Sequence, residues 1–155
     1  MNFSKTLKTL VLFSGLLLSG LSFAADENAT DKNGVILGGY DAVSYFKQTA
    51  PSKGKPEFQS EYNGAIYHFF SAANRDTFVA NPSKYAPQYG GFCAYGATLS
   101  KKVGIDPNEY EVIDGKLYVQ SGRQALKLWQ EDTASSIISA DDKWSKIKTI
   151  SADKL

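Results

Sequence analysis

Residues 58–70 read FQSEYNGAIYHFF, and the reading of this stretch decides the fold. Asn63-Gly64 is the strongest two-residue hairpin signal, because both central positions of a primed turn need positive φ, and strand-forming residues flank it on both sides. The turn dictates a register. Tyr62 falls opposite Ala65, Ser60 opposite Tyr67 and Phe58 opposite Phe69 on one face, with Glu61 opposite Ile66 and Gln59 opposite His68 on the other. The first face is aromatic and suits a core, whereas the second, with Ile66, His68 and Phe70, is mixed. Just beyond the hairpin, Ser71 is placed to cap a helix over 72–80, with Phe78 and Val79 inward and Asn74, Arg75 and Asp76 on its polar arc. Asn81-Pro82 then starts a short helical turn, proline being tolerated at the first helical position.

A second hairpin is expected over 109–120 about Asp114-Gly115, pairing Val112 with Leu117 and Tyr110 with Val119. Ser121 is read as the cap of a helix to about Asp132 that buries Leu126, Leu128 and Trp129. A last amphipathic segment, 137–150, turns Ile138, Trp144, Ile147 and Ile150 inward. Upstream of the first hairpin, Tyr40–Phe46 reads as a helix with Asp41 as its cap, and PSKGKP (51–56) as a turn-rich connector. Residues 96–108 read as an irregular link. Two hairpins and several short helices without strand–helix alternation predict an α+β fold: a small antiparallel sheet built from the two hairpins, packed with the helices. No internal repeat is read, so 35–150 stands as one domain between a polar segment, 25–34, and a tail, 151–155.

The composition fits a globular chain of 155 residues, 43% hydrophobic and 21% charged. Lys5 and Lys8 precede an uncharged run from Thr9 to Ala24, and Ser22 and Ala24 are small residues at the −3 and −1 positions of a cleavage before Ala25. Residues 1–24 therefore read as a signal peptide, which predicts an exported, periplasmic or extracellular protein with no stable membrane insertion afterwards. Two of the 17 basic residues lie in that segment, leaving fifteen against 16 acidic ones. Such a balance offers no electrostatic footprint for nucleic acid. A single cysteine and a single histidine exclude a zinc finger, a CxxC motif and an internal disulfide.

Cys93 and His68 are the candidate metal ligands. As a pair they could hold Cu(I), or Zn(II) with Asp41, Glu61 or water completing the shell, so copper or zinc is the cofactor chemistry in view. Each residue also has a plainer use: Cys93 as a small buried hydrophobe, His68 as a partner of Gln59 or Glu61. Nine tyrosines and nine phenylalanines admit a ligand site lined by Tyr40, Asp41, Tyr89 and Tyr95, since buried tyrosines need hydroxyl partners and tend to mark half-wet walls. We expect His68 and Cys93 to border one cleft with Tyr40 and Tyr89 on its walls. No catalytic set is legible: there is no Ser-His-Asp arrangement, P-loop or carboxylate pair. A binding protein for a metal ion or small ligand is the first reading. A redox-active thiol at Cys93 and a non-catalytic partner-docking module remain open beside it.

Tyr62-Asn63-Gly64, Tyr67-His68, Ser71, Phe78, Asn81-Pro82 and Tyr85 resemble a YHS domain. Residues 39–46 (GYDAVSYF), 89–94 (YGGFCA), Asp106-Pro107, 114–118 (DGKLY), Trp129 and Ala140-Asp141 with Trp144 are similar to the exported, single-domain branch of that family. The resemblance implies a proposed metal role, often for copper. Metal-associated members carry cysteines just before the Ser and three residues after it, where this chain has Phe70 and Asn74. Neither is a soft-metal ligand, so the role cannot be carried over on those positions.

Overall fold

The computed structural model describes residues 28–47 and 49–155; the expected signal peptide lies outside the described residues. Both predicted turns form as their residue types require, with Asn63 and Gly64 at φ 49° and 76° and Asp114 and Gly115 at 50° and 73°. The first joins strands β1 (Lys55–Tyr62) and β2 (Ala65–Phe69), the second β3 (Asp106–Ile113) and β4 (Lys116–Gln120). The expected register holds for Gln59–His68, Ser60–Tyr67, Glu61–Ile66 and Tyr62–Ala65, and for Tyr110–Val119 and Val112–Leu117. Phe58 does not face Phe69, however: Lys55 does, across a bulge that ends at Gln59. Pro56 lies inside the interrupted stretch, and a residue without an N–H cannot donate to the ladder. The second hairpin breaks in the same way, between Asp106 and Tyr110 around Pro107.

The fold is α+β, with two separate two-stranded antiparallel sheets rather than the single sheet expected. The helices are α1 (Ser44–Lys47), α2 (Ala72–Ala80), α3 (Pro82–Tyr85), α4 (Ala94–Thr98), α5 (Arg123–Glu131) and α6 (Thr133–Ile147). Ser71 caps α2 by accepting from the Asn74 N–H at 3.2 Å, and Pro82 opens α3, both as expected. Other expectations need correction. Tyr40–Val43 form a bridge and turn rather than helix, because the Asp41 side chain binds the Val43 and Ser44 amides and holds the chain open until Ser44. Gly122, not Ser121, precedes α5; the link 96–108 holds most of α4 and the start of β3; and α6 starts at Thr133 behind an Asp132 cap. Val79 and Ile138 point outward, 54% and 72% exposed, since Phe78 and Ala140 take the inward positions beside them.

Laid side by side, the two halves repeat one plan that the sequence reading missed. A short 3-10 turn at Leu37–Gly39 recurs at Tyr89–Gly91, with φ of 56°, 58° and 77° against 54°, 60° and 79°. Ile36 N–H donates to Ile66 O as Gln88 N–H does to Leu117 O, and Asp41 N–H to Ser52 O as Cys93 N–H does to Val103 O. A short helix, a proline-bulged hairpin and a nine-residue helix follow in each half, and α2 and α5 end at Asn81 and Asp132 with nearly identical dihedrals. Equivalent residues are 52 apart before the α1 and α4 helices and 51 apart in the hairpins, so one residue is lost in the connector.

Each hairpin lays one face on its own helix, Tyr67 and Phe69 on Phe78 in the first unit, Tyr118 on Trp129 in the second. The other faces differ. Leu117 and Val119 join the first unit's core beside Val43, Tyr45 and Phe69, so β4 is buried on both sides. Their counterparts Ile66 and His68 stay partly exposed. The second core gathers Tyr89, Ala94, Ala97, Tyr118, Trp129 and Ala140, and α6 closes over it.

Candidate functional site

Asp41 is the most fully bonded acidic side chain described. It is wholly buried, and its Oδ1 accepts from the amides of Val43 (2.8 Å) and Ser44 (3.3 Å) while Oδ2 accepts from the Phe70 amide (2.9 Å) and Asn74 Nδ2 (2.7 Å). A buried carboxylate is tolerable only when donors surround it in this way. It ties the first turn to the start of α2, and every lone-pair direction has a partner. Asp41 thus holds structure together and has nothing left for a ligand.

Cys93 occupies the equivalent place in the second unit. It is 1% exposed, its Sγ accepts from the Gly96 amide at 3.4 Å, and its thiol donates to Gln120 Oε1, also 3.4 Å away. The Tyr95 amide donates to that same Oε1 at 3.0 Å, which fixes the amide's orientation. Gln120 is itself fully buried, and its Nε2 has no partner.

His68 is elsewhere. It lies on the partly exposed face of the first hairpin, paired with Gln59, with its ring beside Gly39 and the Lys53 ammonium. Tyr40 is nearby, under the Lys53 ammonium at 4.8 Å. Tyr89 packs on Tyr118 and Trp144 and donates its hydroxyl to Asp141 Oδ1 at 2.9 Å; burial first, and that bond second, push its pKa far above the ordinary phenol range. Tyr95 contributes its amide to Gln120 and sits half-buried at the start of α4. The structure brings together Tyr40 and His68 around Lys53, and Cys93 and Tyr95 around Gln120, and places Asp41 and Tyr89 in cores of their own.

A cleft of about 350 Å³ opens where the first hairpin's tip meets the second unit. Tyr62, Tyr67 and Trp144 are its aromatic walls, Asn28 and Asn63 supply polar groups, and Ala86, Pro87 and Gly90 complete the lining. Three of its eight lining residues are aromatic, two are asparagines and none is charged, and its volume lies at the low end of the range for small-molecule sites. Burial pushes the Tyr67 phenol's pKa up, so it stays a neutral donor and acceptor. Asn28 Nδ2 donates to Asn63 O at 2.8 Å, fastening the segment around Asn28 to the hairpin turn. The sequence reading found Trp144 and the hairpin but not the cleft, because its lining comes from four separated segments that no local spacing connects.

Comparison with known proteins agrees with the first half of this picture. Residues 44–89 match the YHS domain family model, which spans most of the first unit. No curated protein and no solved structure matches the chain. The metal that the resemblance implies does not fit the donors present. Among the described residues no three His, Cys, Asp or Glu side chains come together as a metal would need. Where cysteines are expected, Phe70 stands half-exposed and Asn74 has its amide committed to Asp41.

Proposed function

Taking as premise that this is a YHS domain-containing protein, we propose that it is an exported binding module, without catalytic chemistry of its own, that takes a small uncharged ligand in the Tyr62–Tyr67–Trp144 cleft. The observation that carries this reading is the cleft itself: aromatic walls, two asparagines and no charge in about 350 Å³. Aromatic faces favour a planar or apolar ring face, and Asn28, Asn63 and the Tyr67 hydroxyl favour a ligand that also offers polar edges. Export rests on the Lys5/Lys8 and Thr9–Ala24 pattern. The family's association with metals is set aside for this chain because Asp41 is fully bonded and no three donor side chains cluster among the described residues.

Nuclear magnetic resonance titration with two neutral probes, indole and glucose, tests the reading. Shifts should concentrate at the Trp144 indole N–H and the Asn63 side-chain amide for at least one probe, and Tyr67→Ala or Trp144→Ala should abolish them. Neither Cu(I) nor Zn(II) should bind stoichiometrically at micromolar concentration. Stoichiometric metal uptake that disappears in Cys93→Ser, with no probe response at the cleft, would replace this reading with the metal one.

A further inference from the structure

The two units solve one problem with different atoms. In the first, two carboxylate oxygens collect four donors. In the second, one sulfur takes a single amide, Gln120 Oε1 takes the Tyr95 amide, and the Gln120 Nε2 donor is left buried without an acceptor. A buried unpaired donor is costly and calls for an explanation. The backbone donors correspond: Val43 and Ser44 answer to Tyr95 and Gly96, and the Asn74 side-chain amide has its analogue in Gln120.

A sulfinate carries two oxygens and one negative charge on a short stem, as a carboxylate does. From the orphaned Gln120 donor and the matching Asp41 geometry, we propose that Cys93 is an oxidation site: a small hydroperoxide converts its thiol to sulfenic and then sulfinic acid, which the second unit holds as the first holds Asp41. In each step sulfur attacks a peroxide oxygen, an S–O bond forms and the O–O bond breaks. The hydroperoxide leaves as the alcohol, or as water from hydrogen peroxide, taking up the proton released. Two equivalents of hydroperoxide take the thiol to the sulfinic acid. One new oxygen then accepts from the Tyr95 and Gly96 amides, and the other from Gln120 Nε2. Oxidation therefore fastens α4 to β4 more firmly than the thiol does.

The test needs no ligand in the cleft, so its outcome is separate from that of the function proposed above. Native protein is treated with hydrogen peroxide and followed by intact mass, peptide mapping and a sulfenic-acid probe. We expect a gain of two oxygen atoms at Cys93 while the protein stays folded, and a melting temperature at or above that of the reduced form. Cys93→Asp should fold and melt within a few degrees of the wild type, and adding Gln120→Leu should lower it. The proposal is overturned if Cys93 gains oxygen only after unfolding in urea, or if the oxidised protein melts well below the reduced one. Failure of Cys93→Asp to fold while Cys93→Val melts as the wild type would also overturn it, showing a slot that prefers an apolar side chain.

Discussion

In the first unit the place after the glycine turn is held by Asp41, whose four hydrogen bonds are complete; in the second it is held by Cys93, beside a glutamine amide only half satisfied. The turns before the two share their dihedrals and both amides donate to the segment that returns beside them, so the difference is largely one of side-chain chemistry on a common turn. It teaches that the frame does not depend on any one chemistry at that place, and that the lone cysteine is there first as a helix cap. A metal-bound thiol would lie beside other ligands, and among the described residues Cys93 belongs to no such cluster.

The comparison predicts unequal costs. Asp41→Ala leaves the Val43 and Phe70 amides and the Asn74 side chain without their acceptor, while Ser44 keeps the Asp41 carbonyl, and should cost about 3–5 kcal/mol in urea unfolding. Cys93→Ala, which frees one backbone amide and returns Gln120 to the Tyr95 bond alone, should cost about 1–2 kcal/mol. Equal losses would break the comparison. A second contrast lies at Gly54 and its counterpart Ile105. A Cβ at Gly54 would lie 2.5 Å from the His68 carbonyl carbon, so Gly54→Ala must push two backbones apart, at about 2–3 kcal/mol. Ile105 shows that the second unit leaves room there.

The glycine turns should separate less. Gly39 and Gly91 share a positive φ, but a Cβ at Gly91 meets Ile36 Cδ1 at 3.0 Å whereas at Gly39 nothing lies nearer than 3.6 Å. Gly39→Ala should therefore cost about 1 kcal/mol for the backbone alone, and Gly91→Ala about 1 kcal/mol more. The smallest expected effect concerns Asn81 and Asp132. Asp132 accepts from the Ser135 amide at 3.0 Å and from its hydroxyl at 2.7 Å, and the amide bond above all holds its carboxyl below the ordinary value of 3.8. A lowered folded-state pKa stabilises fully above that ordinary value and stops stabilising as pH falls through the lowered one. Acid melting should therefore show a component that Asp132→Asn removes, while Asn81→Ala, at a cap whose uncharged side chain accepts from the Ser83 hydroxyl and from no backbone amide, leaves the acid dependence unchanged. An acid profile identical in Asp132→Asn and wild type would remove this distinction.

The elements that sequence reading recovered are those set by neighbours in the chain. Asn63-Gly64 and Asp114-Gly115 dictate turn type and so the register of the residues next to them, and Ser71 reaches an amide three residues away. The repeat was visible only as LGGYDA at 37–42 and YGGFCA at 89–94. It is otherwise hidden because equivalent places exchange Asp41 for Cys93, Phe69 for Gln120 and Phe78 for Trp129, which preserves burial but not residue type. Cys93 and His68 stand out in the sequence as its single cysteine and single histidine, and rarity says nothing about distance.

By itself, then, the sequence determined two tight hairpins, their near-turn register, the capped helix after the first and the α+β class, because these follow from φ preferences and hydrogen bonds within a few residues. Only the tertiary structure decided that the hairpins stay in separate sheets, that β4 is buried on both faces while His68 on β2 remains at the surface, and that Tyr62, Tyr67 and Trp144 meet around one cleft. Those outcomes depend on which faces of distant segments exclude water from one another. That choice is made by the packing of the whole chain and leaves no mark in the spacing of any single stretch.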